Sequence, residues 1–208
     1  MLARVLAVVL VLVLTSPLAG GSPVVEAKKK AKTVTKTFAN DDAIAVPGTG
    51  SVGPGDPYPT PIQVRGFKKG KIKDVNLTLN DFSHEFPDDV DILLVAPNGR
   101  DALVMSDVGS QFEVSDITLE LDDEAGSPLP IGSMLSGGTF QPTNDMAGDT
   151  FPDPAPAPSG NVPLSVFDGT RPNGTWQLFV NDDFGGSDGS VGGGWSLEIK
   201  AKVKKKKK

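Results

Sequence analysis

The 208-residue sequence predicts an all-β protein, an antiparallel β-sandwich or jelly roll, and three observations support that class. Glycine (24) and proline (18) supply a fifth of the chain, against a usual share of about 12%, which leaves little room for long helices. Short segments alternate apolar and polar residues with a period of two, the pattern of strands with one buried face. Those segments are bounded by glycine, proline or aspartate, residues that turn the chain.

In chain order, Val34 to Phe38 and Ile62 to Arg65 are short strand candidates, and Val75-Asn76-Leu77-Thr78-Leu79 alternates cleanly. Asp91-Ile92-Leu93-Leu94-Val95 is apolar on both sides, as a central strand requires. Ala102 to Ser106 follows, then Ile117-Thr118-Leu119-Glu120-Leu121, then Leu164 to Phe167. Trp176, Leu178 and Val180 share one face of TWQLFV, and Trp195, Leu197 and Ile199 share one face of the last strand, so both tryptophans are expected inside. Two stretches, Gly48 to Pro61 and Phe140 to Pro163, carry so much proline and glycine that neither is expected inside a strand.

Charge is segregated along the chain. Between Thr37 and Ile199 there are 25 acidic and 7 basic side chains, a net of −18. Lys28, Lys29, Lys30, Lys32 and Lys36 precede this body, and Lys200, Lys202 and Lys204 to Lys208 follow it. Nucleic acid is therefore not an expected partner of the folded body. The lysine ends suit an anionic envelope polymer, and such binding weakens with salt.

Residues 1–27 read as a signal peptide: Arg4 precedes the apolar run Val5 to Leu14, and Val25-Glu26-Ala27 offers a cleavage site after Ala27. Ten helical residues span only about 15 Å, half a bilayer's hydrocarbon core, so secretion without a transmembrane span is expected. The remainder divides into a lysine-rich lead-in (28–36), one domain (37–203) and a lysine tail (204–208). The chain has no cysteine, which excludes disulfides and thiolate chemistry, and its single histidine, His84, excludes histidine-cluster metal sites.

Two catalytic-looking motifs lack their structural context. Gly48-Thr49-Gly50-Ser51-Val52-Gly53 fits the dinucleotide fingerprint, but Pro54 and Pro57 stand where the phosphate-binding helix would begin. Gly185-Gly186-Ser187-Asp188-Gly189 fits the esterase elbow, yet it leads into a strand instead of a helix. The aspartates carry more, because they gather where strands begin and end: Asp88, Asp89 and Asp91 before the central run, Asp122, Asp123 and Glu124 after another, and Asn181, Asp182 and Asp183 after TWQLFV. Hard cations take six to eight oxygens, and such loops supply carboxylates and carbonyls together. Asp88, Asp89, Asp91, Asp182 and Asp183 are thus candidate calcium ligands if the topology joins the two groups. Otherwise they are turn and capping residues.

The run from His84 through Glu85-Phe86-Pro87-Asp88-Asp89-Val90-Asp91-Ile92-Leu93-Leu94-Val95-Ala96-Pro97-Asn98 to Gly99 resembles the signature of the proprotein convertase P domain, or P/Homo B domain, roughly HxxxGDLxxxLxSPxGT. A second block is similar to its C-terminal half: Phe167-Asp168-Gly169, Asn173-Gly174-Thr175-Trp176-Gln177-Leu178, Asp182-Asp183, and Gly189-Ser190-Val191 before Trp195-Ser196-Leu197. The resemblance covers roughly Phe38 to Ala201, with Asp88, Val90, Ala96 and Arg100 departing from the usual Gly, Leu, Ser and Thr. It implies a galactose-binding-like jelly roll that in the family follows a subtilisin-like serine protease domain and stabilises it. No such catalytic domain is present in this sequence.

The expected function is therefore a secreted, non-catalytic module that stabilises or binds a separately encoded protein, with calcium as a possible support. Adhesion or glycan binding is the alternative, one that exposed aromatic residues would favour. A protease or other hydrolase is the third reading, opposed by the single histidine.

Overall fold

The computed structural model describes residues 31–204, which form two β-sheets packed face to face. Residues 1–27, read above as a signal peptide, and Lys28 to Lys30 and Lys205 to Lys208 lie outside the described residues.

One sheet is organised by β5 (Lys71–His84), whose 14 residues run from one end of the sandwich to the other. Along one edge β5 pairs with β13 (Trp195–Val203), and β1 (Lys32–Asn40) lies outside β13. Further along that edge it pairs with β12 (Gly189–Val191), flanked by β2 (Ile44–Val46). Its other edge takes β8 (Val114–Leu121) and then β9 (Gly138–Phe140). The second sheet has the order β10 (Thr143–Asn144), β7 (Asp101–Ser106), β6 (Val90–Val95), β11 (Gly174–Asp182), with β4 (Thr60–Val64) and β3 (Gly53–Pro54) sharing the far edge of β11.

The all-β sandwich agrees with the sequence expectation, with four local differences. The pairs β8–β9 and β10–β7 are parallel, so the sheets are mixed and not purely antiparallel; residues 122–137 carry the chain back so that β9 runs in the direction of β8. Leu164–Phe167 is a 3-10 turn and not a strand. The Asp123 carboxylate accepts the N–H groups of Leu164 and Ser165 at 2.8 and 2.7 Å, holding the first turn after Pro163. β1 begins at Lys32, so the strand takes in Lys32 and Lys36 of the lysine-rich lead-in. Finally, the two proline-rich stretches contribute the two-residue strands β3 and β10 and lend Thr60 and Pro61 to β4 and Phe140 to β9, all at sheet edges, where a proline needs to donate nothing.

The main core lies between the sheets, where Trp176 and Trp195 are fully buried. Trp176 packs edge-on to Phe167, with ring centroids 4.9 Å apart, and its indole N–H donates to the Pro172 carbonyl at 2.9 Å. The Trp195 N–H donates to Thr60 Oγ1 at 3.1 Å, tying the sheets together. β6 is buried on both faces, as its continuous apolar run predicts. Ile92 and Leu94 enter the main core, while Leu93 and Val95 join Leu103 and Phe179 in a second cluster outside the second sheet. The two proline-rich stretches cover that cluster. Tyr58 meets Phe179 at 5.1 Å and donates its hydroxyl proton to the Pro152 carbonyl at 3.0 Å, and Phe151 packs beside them.

Replacing Trp176 or Trp195 by Ala is expected to cost about 3 to 5 kcal/mol of stability in chemical denaturation, the range for buried aromatics. A loss below about 1 kcal/mol at both sites would contradict this packing.

Candidate functional site

The side chains that bear chemistry gather at one end of the sandwich, where β5, β7 and β11 finish and β6 and β8 begin. Register explains the gathering. In the β6–β11 pair, Asp91 stands opposite Asn181 and Val90 opposite Asp182, and the Asp183 N–H donates to the Asp89 carbonyl at 2.9 Å. The two aspartate groups singled out in the sequence therefore do share one end. Asp88 and Asp89 sit on a 3-10 turn, half-buried; Asp91 and Asp182 are buried in strands; Asp183 is exposed in the loop beyond β11.

Strand alternation then divides them between two faces. Asp182 points inward with Val90 and meets His84 of the opposite sheet, with Oδ2 3.4 Å from Nε2 and neither side chain exposed to solvent. The Asp182 Oδ1 accepts the Phe184 N–H at 3.1 Å. His84 is held at its other ring nitrogen, where Nδ1 lies 2.8 Å from the Phe86 carbonyl oxygen and 3.2 Å from the Phe86 nitrogen. Gly189 is required beneath this pair, because a Cβ there would collide with the His84 ring and the Ser83 carbonyl. Burial lowers the His84 pKa and raises that of Asp182 to about 6. Asp89, beside them, is also raised to about 6, first by burial and then by the Asp182 charge.

Asp91 points the other way, to the outer face of the second sheet. It is 2% exposed, and burial, reinforced by the charges of Asp149, Asp183 and Asp107 and opposed by the Ser106 hydroxyl, pushes it up to about 8. Its neighbours form a row across the sheet: Asn144 on β10 faces Ser106 on β7, and Asp91 on β6 faces Asn181 on β11. Asp149, from the stretch after β10, lies over this row, with its pKa raised by burial and by Asp107 and lowered by hydrogen bonding to Ser106 and Asn144. Oδ2 of Asp91, Oδ1 of Asn144, Oδ2 of Asp149 and Oδ1 of Asn181 are all sealed from solvent and accept no hydrogen bond.

Asn144 and Asp149 were not among the sequence candidates, and Asn181 stood in the cluster after TWQLFV without being a candidate ligand, although it shares a face of β11 with Gln177 and Phe179. Asn144 and Asp149 carry no local signal, because only the fold of the covering stretch brings them to the sheet. No three of the five predicted aspartates hold their oxygens within 4.8 Å of one another. One trio among the described residues does, namely Asp74, Asp122 and Glu124 on the first sheet. That trio is partly neutralised, with Lys200 Nζ 3.5 Å from Asp74 and Asn76 donating to Asp122 at 3.3 Å. Ser187 of the esterase-like motif lies in the loop before β12, and the ring nitrogens of His84 face Phe86 and Asp182.

The fold and site thus define a β-sandwich with a buried acidic layer at one end. Neither a protein-family model nor a curated protein matches the chain. Among solved structures, it is similar to the serine protease of Aeromonas sobria at 15% identity and a TM-score of 0.38, over 81% of this chain and 27% of that one. The Aeromonas sobria serine protease in complex with the chaperone ORF2 gives 15% identity and a TM-score of 0.39, over 85% and 28%. The chain spans little more than a quarter of the length of these matches.

The buried carboxylates set a pH dependence for the protein held in chelator. Asp91, raised to about 8, favours the protonated form, so its contribution to stability is complete below the unfolded value near 4 and is lost as pH rises through about 8. His84, lowered by burial, acts in the opposite sense, but only as pH falls below about 6.5. Between pH 6.5 and 8.5 the melting temperature in chelator is expected to fall, and Asp91→Asn should flatten the fall. A profile that rises over this interval in the wild type would contradict the assignment.

Proposed function

We infer that this protein is a secreted, non-catalytic interaction module of the P/Homo B type that binds or stabilises a separately encoded protein through the acidic end of its sandwich. One observation carries the reading: the exposed large hydrophobic side chains among the described residues all lie in the loops of that end. Phe86 precedes the 3-10 turn before β6, and Phe112 lies between β7 and β8. Ile131 and Met134 flank a segment fixed there by the Gly109 N–H, which donates to the Pro130 carbonyl at 2.8 Å. Met146 follows β10, while Phe184, 69% exposed, and Val52 sit on loops joined by the Gly186 N–H to the Ser51 carbonyl at 3.1 Å. Apolar side chains gathered outside a closed core mark a surface that another molecule covers.

The family resemblance gains support from packing, because residues of its two sequence blocks meet in space: His84 of the first faces Asp182 and Gly189 of the second. A glycan-binding reading has only the exposed rings of Phe86, Phe112 and Phe184 to draw on, since both tryptophans are buried and the Tyr58 hydroxyl is bonded to Pro152. Hydrolysis is opposed by the engagement of the only histidine with Asp182 and Phe86. No helix among the described residues is long and apolar enough to cross a membrane.

Lys32 and Lys202, the described lysines nearest the two chain ends of the sheet, belong to the opposite pole. Lys32 stands opposite Val203, and Lys202 opposite Lys71 at the start of β5, so the lead-in and the tail join the sheet side by side. At about 3.3 Å per residue, β5 separates this cationic pole from the acidic end by roughly 40 Å. An anionic envelope polymer held at the lysines would leave the acidic, apolar-fringed end free for a protein partner.

Affinity capture from secreted and envelope proteins is expected to retain a discrete partner on the wild type and to lose it on the variant Phe112→Asp/Phe184→Asp with its melting temperature unchanged. Capture that is identical for the two would contradict the assignment of this face. Casein and p-nitrophenyl ester hydrolysis should be absent, and activity that disappears in both His84→Ala and Ser187→Ala would restore a catalytic reading. Deleting Lys204 to Lys208 should leave thermal stability within about 0.5 kcal/mol and reduce adsorption to teichoic acid or another anionic polymer at low salt; undiminished adsorption would remove the tether.

A further inference from the structure

We propose that Asp91, Asn144, Asp149 and Asn181 bind one calcium ion between the second sheet and the stretch that follows β10. The inference stands apart from the partner reading, since it concerns a layer beneath the surface.

Donors and acceptors are out of balance in this layer. Asp91 and Asn181 are 2% and 4% exposed, and each has an oxygen that accepts no hydrogen bond. Their sequence neighbours Ile92 and Val180 fill the main core, so both side chains project to the outer face of the sheet. Asn144 and Asp149 add two further sealed, unpartnered oxygens from the covering stretch. The Ser106 hydroxyl has a single proton for Asp91, Asp149 and Asp107, and Asp107 Oδ2 lies 3.0 Å from its oxygen. Buried acceptors without donors are costly, more so when charged, and a cation satisfies several at once.

The chemistry of the donors selects the ion. All four are oxygens, two of them carboxylate and two carboxamide, with Asp107 and Asp183 adding negative charge from nearby. Zinc and copper favour nitrogen and sulfur ligands, which this set lacks. Magnesium demands near-ideal octahedral geometry and holds its waters, whereas calcium accepts irregular sets of six to eight oxygens that mix carboxylates, amides and water. A surface recess lined by Leu103, Asn144, Gly148 and Asp149 gives the ion a route in. Asp182, though adjacent in sequence to Asn181, is excluded by strand alternation and by its contact with His84.

Calcium chloride titrated calorimetrically into the chelator-treated chain is expected to show one site, and calcium should raise the melting temperature. Asp149→Asn, in the covering stretch, should weaken binding at least tenfold while leaving the melting temperature in chelator within a few degrees. Asp91→Asn, which keeps the shape of the side chain and removes its carboxylate, should remove the calcium-induced shift. Glu124→Gln, in the trio on the first sheet, should leave binding unchanged. The proposal fails if the wild type shows neither calcium heat nor a chelator shift, or if Glu124→Gln abolishes binding that Asp149→Asn preserves. It also fails if several weak ions bind and every aspartate substitution reduces them alike. Should Asp91→Asn not fold, Asp149→Asn against Glu124→Gln decides between the two places.

Discussion

The register of β6 against β11 is the constraint on which the rest of this end depends. It sets Asp91 opposite Asn181 and Val90 opposite Asp182. Because successive residues of a strand face opposite ways, that single alignment sends one carboxylate outward into an acceptor-rich layer and the other inward against a histidine. A slip of one residue would turn Asp91 inward against Leu178 and Val180 and send Ile92 and Leu94 outward, which a folded core could not tolerate.

The outward carboxylate then explains the covering loops. A sheet with Leu93, Val95, Leu103 and Phe179 on its outer face would expose an apolar strip, and the two proline-rich stretches close it through Tyr58, Phe151 and Pro152. The same cover that shields the strip also seals the polar row next to it. Asp101 anchors the far side of the cover, accepting the N–H and the hydroxyl proton of Ser159 at 2.9 and 2.8 Å. Apolar closure and acidic burial are thus two results of one folding event, and the second is costly unless a cation is present.

Much of the sandwich was legible in the sequence because its signals are local. The alternation around Trp176 and Trp195 places both indoles in the core, and the unbroken run Ile92 to Val95 marks a strand covered on both faces. Leu164 to Phe167 misled because its hydrophobicity comes from packing a 3-10 turn, and the residue that fixes that turn, Asp123, lies 41 positions away from Leu164. The acidic end was legible in part. Strand-end aspartates announced Asp91 and its neighbours, but the split between the faces depends on register, and Asn144 and Asp149 reach the row only through tertiary folding. Sequence patterns report what a residue's own element does, whereas this site is assembled by a loop folding across three strands.

The central claim is that the stretch from β10 to Asn161 is held down by an ion shared with β6 and β11. Hydrogen–deuterium exchange with calcium and with chelator tests it most directly. The amides of Leu103, Asp145 and Ser159, bonded to Asn161, Ser106 and Asp101 respectively, report the closure of the cover, while the β5–β13 ladder serves as an internal reference. The account predicts that chelator accelerates exchange at the three cover amides by at least tenfold while leaving the β5–β13 ladder protected. Equal protection of the cover with and without calcium would contradict it.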